Sequence, residues 1–410
     1  MSLNAMGRGD FQRHRQYLMN PDIRKPLDEI YADLDAFTQE IFETDTERFS
    51  TISFYNLLPP LFYEGRFIKG LYFSESVDLL NKVFPQLAPV FFSFAYSMWC
   101  SYPWSTTADA YCKLYDNPSR EAWFQKNYPD RANKILIPLM DSDFTHEYLI
   151  SPRNIAQKQI DVICVARLSE EKNLPIVAHA LKIYRQKYPH HPIRLRLMVC
   201  RPFDLKNPQT LEPHSLREWQ KIEAILGNPF DYLEVIPQVD YYAEMPVYYS
   251  HAKLCIMTSL LEGKNRSILE AMSCNIPVVC FQEYNQYARG DAPIFPEGAG
   301  LCAAFHPESL ADTIYQVLQN LGEFQPRRRF LEHWGRKNFF NRCLDSFPYY
   351  RENVPDYVPG QAYNNLWLDL ALQQNYQVSL HDFLYGRSQF SHLYGLQQIK
   401  TVLERWIKLA

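Results

Sequence analysis

Paired cysteines are absent from this chain. Its nine cysteines run from Cys100 to Cys343 with no Cys-x-x-Cys spacing and an odd total. That excludes a disulfide frame and the usual structural zinc site, and predicts buried, reduced thiols in a cytosolic protein. Long apolar runs are absent too: the longest, Ala88–Cys100, is too short to span a bilayer and predicts core. The first residues are polar and charged, so a secretory signal is not expected. Neither sign of charge dominates, and a formal net charge of -4 gives no reason to expect a nucleic-acid partner. Glycine is scarce at 14 residues, and no nucleophile-elbow pattern frames any serine. The 11 histidines show no metal-ligand spacing, and His190-His191 beside Pro192 predicts a turn. There is no internal repeat and no low-complexity tract.

What is present is apolar and aromatic. The 410 residues suffice for two or three domains with a full-sized core. A hydrophobic fraction of 47% argues against long disordered stretches, and an aromatic fraction of 15% suits wide, partly polar clefts. Residues 1 to about 50 read as helical and acidic, with apolar residues near helical spacing in Pro26–Phe42. Strand-like runs follow at 51–55, 90–95 and 134–138, with a helix from Ser119 to Tyr128 stopped by Pro129. Acidic residues outnumber basic ones over 1–155, and Ser151-Pro-Arg153 predicts a boundary.

From residue 156 the pattern becomes regular. Predicted strands at 160–166, 193–199, 232–236, 253–258 and 277–281 alternate with predicted helices at 174–188, 215–226, 243–250, 266–274 and 309–321. Short apolar strands alternating with helices predict a doubly wound α/β domain with a parallel sheet, whose ligands bind at the carboxyl ends of the strands. Residues 323–410 do not continue this rhythm; they carry Arg327-Arg-Arg329, which reads as a solvated face or interdomain contact, and a last helical pattern over Leu393–Leu409.

Two elements stand on the predicted binding edge. Ser259-Leu-Leu-Glu262-Gly263-Lys264-Asn265-Arg266-Ser267-Ile268-Leu-Glu270 places two carboxylates around the start of one helix, whose free amides favour an anion. A polyanion with hydroxyls at both ends, such as a nucleotide sugar, suits that arrangement. The plainer alternative is a capping box closed by Ser267 and Glu270, with Glu262 a solvated acid. Arg167-Leu-Ser-Glu-Glu-Lys172 follows the first strand, and its two cations could neutralise a departing diphosphate. Its alternative is an exposed loop in which Glu170 and Glu171 pair locally with the cations. Asp141-Ser-Asp143 could in principle chelate a metal, but it precedes the boundary and is discounted; Arg289-Gly-Asp291 reads as a loop coincidence.

Over roughly 155–320 these pieces resemble the retaining GT-B glycosyltransferases of the E-x7-E group, the large family 4. The resemblance rests on Val165-Ala-Arg167-Leu-Ser-Glu-Glu-Lys172-Asn-Leu, Ile236-Pro-Gln-Val239-Asp, Tyr248-Tyr-Ser-His-Ala-Lys-Leu, Leu269-Glu-Ala-Met-Ser-Cys-Asn275-Ile-Pro-Val-Val and Gly298-Ala-Gly-Leu, in that order around the Glu262–Glu270 segment. It implies two Rossmann-like domains with an interdomain cleft and a C-terminal helical extension. Their expected bounds are 1–155 (acceptor side), 156–322 (donor side) and 323–410, the last packing back on the first. By resemblance Arg167 and Lys172 bind the donor diphosphate, Glu262 meets hydroxyls of the transferred sugar, and Glu270 bonds the ribose. Gly263, Asn265, Arg266, Ser267 and Ile268 hold the phosphates and sugar through the helix start, and Val239 lies against the base.

Such an enzyme is expected to move a sugar from a nucleotide diphosphate sugar to an acceptor hydroxyl of a glycan, lipid or small molecule. It would need no metal or other cofactor, retain the anomeric configuration, and work in the cytoplasm, with peripheral membrane contact if the acceptor is a lipid. Two other expectations are a nucleotide-sugar-binding protein without transfer, and a GT-B phosphorylase or synthase. The chain departs from the family at Asn275, where glycine is common, and at Lys264-Asn-Arg266, where an aromatic-Pro-apolar run is common. It also lacks the glycine-rich loop that usually opens the first domain, Tyr63–Gly70 being a poor substitute.

Overall fold

The computed structural model describes residues 55–362, apart from 75–76, 96–104, 115–117, 132, 140–144, 146, 200–203, 205–206, 208–209, 263–265 and 287–293. The helical readings before residue 50 and after 393, Asp141-Ser-Asp143 and Arg289-Gly-Asp291 lie outside these. The described residues divide into two compact units: those before Asp141 together with those from Lys337 onward, and those from Asp141 to Arg336.

The first unit is built on a five-stranded sheet. Its strands are β1 (Tyr55–Leu58), β4 (Gly70–Ser74), β5 (Phe91–Ala95), β6 (Ala110–Leu114) and β7 (Ile135–Leu139), in the order β1-β4-β5-β6-β7. β4 to β7 are parallel, and β1 runs antiparallel on the edge. Helices α1 (Val77–Val83), α2 (Leu87–Val90) and α3 (Pro118–Asn127) lie in the crossovers. β2 (Leu61–Tyr63) and β3 (Arg66–Ile68) form a separate hairpin. Its two corner residues, Glu64 and Gly65, have φ of 48° and 76°, as a two-residue hairpin turn requires. The Tyr63–Gly70 stretch is therefore a hairpin leading into a strand, not a phosphate-binding loop.

The second unit carries six parallel strands: β8 (Ile160–Val165), β9 (Leu195–Met198), β10 (Leu233–Ile236), β11 (Ala252–Ile256), β13 (Val278–Phe281) and β15 (Gly300–Ala303). A short parallel pair, β12 (Leu261–Glu262) with β14 (Asn285–Gln286), stands apart. The sheet order is β10-β9-β8-β11-β13-β15. Side chains alternate across the sheet: Val162 and Cys164 join one core layer and Ile163 the other. The first layer is closed by α4 (Leu174–Lys187), α5 (Pro213–Leu226) and α8 (Pro307–Gln319). The second is closed by α6 (Met245–His251), α7 (Arg266–Ser273) and α9 (Pro326–His333). Burial on both faces explains the unbroken apolar strands of the sequence. β15 needs glycine at its start, because a side-chain carbon on Gly300 would lie 1.9 Å from the Val278 carbonyl oxygen.

The chain then returns to the first unit through α10 (Arg336–Asp345) and α11 (Pro348–Asn353). Tyr350 is fully buried and its hydroxyl donates to the Lys69 carbonyl at 3.3 Å. The ring of Phe92 packs 5.0 Å from that of Phe347 and 4.9 Å from that of Tyr349. Of the cysteines described, Cys112, Cys164, Cys255, Cys274, Cys280 and Cys343 are buried free thiols and Cys302 is half-buried. Among the described residues no helix is long and apolar enough to cross a membrane.

Candidate functional site

The strand order of the second unit sets the place of the site. From β8 the sheet grows one way to β9 and β10, and the other way to β11, β13 and β15. The crossovers diverge between β8 and β11, and the crevice at the carboxyl ends of such a strand pair is where doubly wound sheets bind ligands. The loop after β8 carries Arg167 and Lys172; the loop after β11 leads to Glu262 and α7.

The first loop turns tightly. Ala166 continues from β8, Glu170–Lys172 make one 3-10 turn, and Asn173 takes φ 49° to start α4. Asparagine enters this left-handed region at less cost than most residues. Two hydrogen bonds tie the turn to the segment after β11. The Thr258 hydroxyl donates to the Lys172 carbonyl, and the Asn173 side-chain amide donates to the Thr258 carbonyl at 3.0 Å. Thr258 is buried, so these ties hold the Lys172 backbone against the neighbouring strand end. Arg167 lies about half in solvent with Glu171 at 3.6 Å, the local pairing that the sequence left open. Partial burial opposes ionisation of Glu171, but hydrogen bonds and the cations Arg167 and Lys172 outweigh it and set its carboxyl below the ordinary range.

The second segment is built differently. The backbone of Glu262 lies in β12, paired with Gln286; its side chain, with Gly263 and Asn265, is outside the described residues. Arg266 opens α7 and is exposed, Ser267 is half-buried, and Ile268 is buried in the core layer beneath. Ile268 can therefore offer a ligand only its backbone amide. The first amides of any helix lack intrahelical acceptors, and Arg266, Ser267 and Ile268 stand at that end of α7. Val239 follows β10, half-buried against the same core layer.

Glu270 is 5% exposed. Its carboxylate accepts from the Tyr241 hydroxyl at 2.7 Å and from the Tyr249 hydroxyl at 3.0 Å. The capping-box alternative does not hold: the helix begins at Arg266, ahead of Ser267, and both oxygens of Glu270 face tyrosines. Burial pushes the Glu270 carboxyl up from the ordinary range, against the pull of the two hydroxyls and Arg266. Burial and the neighbouring carboxylate both push Tyr241 and Tyr249 well above the usual phenol range, so both hydroxyls remain donors.

Residues 159–320 match the family model for glycosyl transferases group 1. The matched region includes the whole six-stranded sheet, so the second unit contains a glycosyltransferase domain and the chain is a transferase. No curated protein matches the chain in sequence. Among solved structures, sucrose-phosphate synthase from Thermosynechococcus elongatus is similar at 18% identity and a TM-score of 0.43, over 65% of this chain and 70% of that one. A glycosyltransferase from Rickettsia africae is similar at 12% identity and a TM-score of 0.45, over 68% of this chain and 81% of that one. HepE from Anabaena, solved with UDP, is similar at 14% identity and a TM-score of 0.46, over 67% of this chain and 77% of that one.

Within the glycosyltransferase domain, Asn275 takes φ 61°, a left-handed backbone that glycine adopts freely and asparagine at less cost than most residues. Arg327-Arg-Arg329 is not a uniform solvated face. Arg327 is half-buried; its guanidinium donates to the Ser273 carbonyl at the end of α7 and to the Glu147 carbonyl at 3.1 Å. Arg328 and Arg329 pair with Glu332 instead. Sequence reasoning missed Tyr241, Tyr249, Thr258 and Asn173 as parts of the site. Tyr249 and Asn173 lie within the motifs that carry the resemblance but had no role assigned, and Thr258 and Asn173 act through backbone carbonyls that no residue pattern reveals.

Proposed function

We propose that this protein moves a sugar from a nucleotide diphosphate sugar to an acceptor hydroxyl, with retention of the anomeric configuration. The observation that supports this most is the pairing at the strand-order switch: a loop bearing two cations is fastened to the segment that leads into the mouth of α7. The diphosphate would sit between Arg167, Lys172 and the amides of Arg266, Ser267 and Ile268. Gly263 and Asn265 would also bind the donor, Glu262 would hold sugar hydroxyls, Glu270 the ribose, and Val239 the base.

In the reaction the bond from the anomeric carbon to the diphosphate oxygen breaks, and a bond to the acceptor oxygen forms on the same face. The acceptor's proton passes to the departing phosphate. The protein's part is electrostatic: fixed cations and amides aimed at the leaving group stabilise charge as it develops, with no reorganisation at that moment. This scheme needs neither a protein nucleophile nor a metal. The acceptor would be a glycan, a lipid or a small molecule, and a lipid acceptor would bring the protein to a membrane surface.

Thermal unfolding with UDP-, GDP-, ADP- and dTDP-sugars, without metal, tests the donor assignment. A ligand that binds only the folded state adds roughly 2.7 kcal/mol at a hundredfold excess over Kd. Sugars of one base should raise Tm clearly above the others. No shift with any of the four at millimolar concentration would overturn the donor reading. Binding without transfer to varied acceptors would leave a nucleotide-sugar-binding protein, and sugar phosphate formed from a glycoside and free phosphate would indicate a phosphorylase.

A further inference from the structure

Glu270 is the residue meant for the ribose, yet both of its oxygens already hold a donor and it is nearly closed to solvent. The two donors differ. Tyr249 belongs to α6 and is fully buried, so it is a fixed part of the wall. Tyr241 lies in the turn before α6 and is half-buried. That turn is firmly set: the Asp240 carboxylate accepts from the amides of Tyr242 and Ala243 at 3.0 and 2.6 Å, and the Glu244 carboxylate accepts from the Asp240 amide at 2.8 Å. With the backbone fixed, the movement that would free Glu270 is a side-chain rotation of Tyr241. Its ring also lies beneath the Arg266 guanidinium, 5.9 Å from the centroid, and edge-on to Tyr242 at 4.8 Å. One side chain thus spans the exposed first residue of α7 and the buried acid one turn further on.

We propose that Tyr241 is a side-chain gate over the ribose seat, displaced from Glu270 when a nucleotide binds. The gate rests on the donor reading given above, in which Glu270 takes the ribose. Its consequence is selective. A ligand carrying a ribose must break the Tyr241–Glu270 hydrogen bond, and its affinity is reduced by the cost of opening. Pyrophosphate, which needs only the cations and the mouth of α7, meets no such cost.

The test is calorimetric titration of the wild type and Tyr241→Phe with UDP, GDP, ADP and dTDP, and with pyrophosphate. Removing the hydroxyl leaves the ring in place and deletes one hydrogen bond of the closed state. The nucleotide bound by the wild type should then bind about three- to tenfold tighter, with pyrophosphate unchanged. Unchanged or weaker nucleotide binding, or an equal change for both ligands, overturns the gate. If Tyr241→Phe does not fold, 3-fluorotyrosine placed at position 241 alone gives a second reading by fluorine NMR. Its resonance should move toward that of a solvent-exposed tyrosine when the nucleotide is added; no movement overturns the gate. If the wild type binds none of the four nucleotides, the donor reading fails and the gate falls with it. If it binds one and Tyr241→Phe gains nothing, only the gate fails.

Discussion

The two sides of the switch point hold their charges in opposite ways. On the β8 side Arg167 is half in solvent, and the loop is fixed from beneath by bonds between Thr258, Asn173 and backbone carbonyls. On the α7 side Glu270 is buried and fixed through its own charged atoms by two tyrosines. A cation that keeps its water retains its charge at little cost to folding. An acid enclosed in the core weighs against stability, because desolvation disfavours its ionised form. Substitutions on the first side should therefore act on turnover, and those on the second on stability.

The largest effect should come from Arg167→Ala and Lys172→Ala. In the proposed scheme each removes a donor to the leaving diphosphate, and turnover should fall about a hundredfold or more while Tm stays near that of the wild type. Wild-type rates in both variants would remove the diphosphate assignment; a collapse of Tm in either would erase the contrast between the two sides.

Glu270→Gln should give the next effect, and on stability. The carboxyl of Glu270 is raised in the folded protein above its ordinary value of 4.5. The native state then binds the proton more tightly than the unfolded chain, so the contribution of this group is most favourable below that value and is lost as pH rises through the folded one. The Tm of Glu270→Gln relative to wild type should therefore improve from pH 4.5 upward. A difference that stays flat would mean that the tyrosine hydroxyls and Arg266 offset burial, and one that moves the other way that they outweigh it.

Glu171→Gln should give the smallest effect. The exposed pair with Arg167 is worth about 0–1 kcal/mol, so Tm should barely move. Releasing Arg167 should tighten nucleotide binding slightly, with the gain fading as salt is added. A gain that persists in high salt would show the pair to be more than a surface contact.

The second unit was largely legible because its strands are buried on both faces. Ile160–Val165 and Ala252–Ile256 are apolar runs with few rivals, and helices such as Leu174–Lys187 show their buried stripe directly. The first unit was less so. β4 opens on Gly70, which reads as a turn, so it went unread, and β6 went unread as well although its composition resembles that of β11. Of the candidate site, the charged residues on the binding edge could be named from strand ends alone. The partners of Glu270 could not: Tyr241 and Tyr249 stand 29 and 21 residues away in sequence, and only folding brings their hydroxyls to one carboxylate.

Helix α7 spans only Arg266–Ser273, about 12 Å end to end. One end faces the proposed ligand, and the other is clasped by Arg327, whose guanidinium also grips the carbonyl of Glu147. A rod so short has little room to bend, so loosening that clasp would be felt at its opposite tip. Arg327 thereby anchors the end of the rod opposite the proposed donor site, through backbone carbonyls.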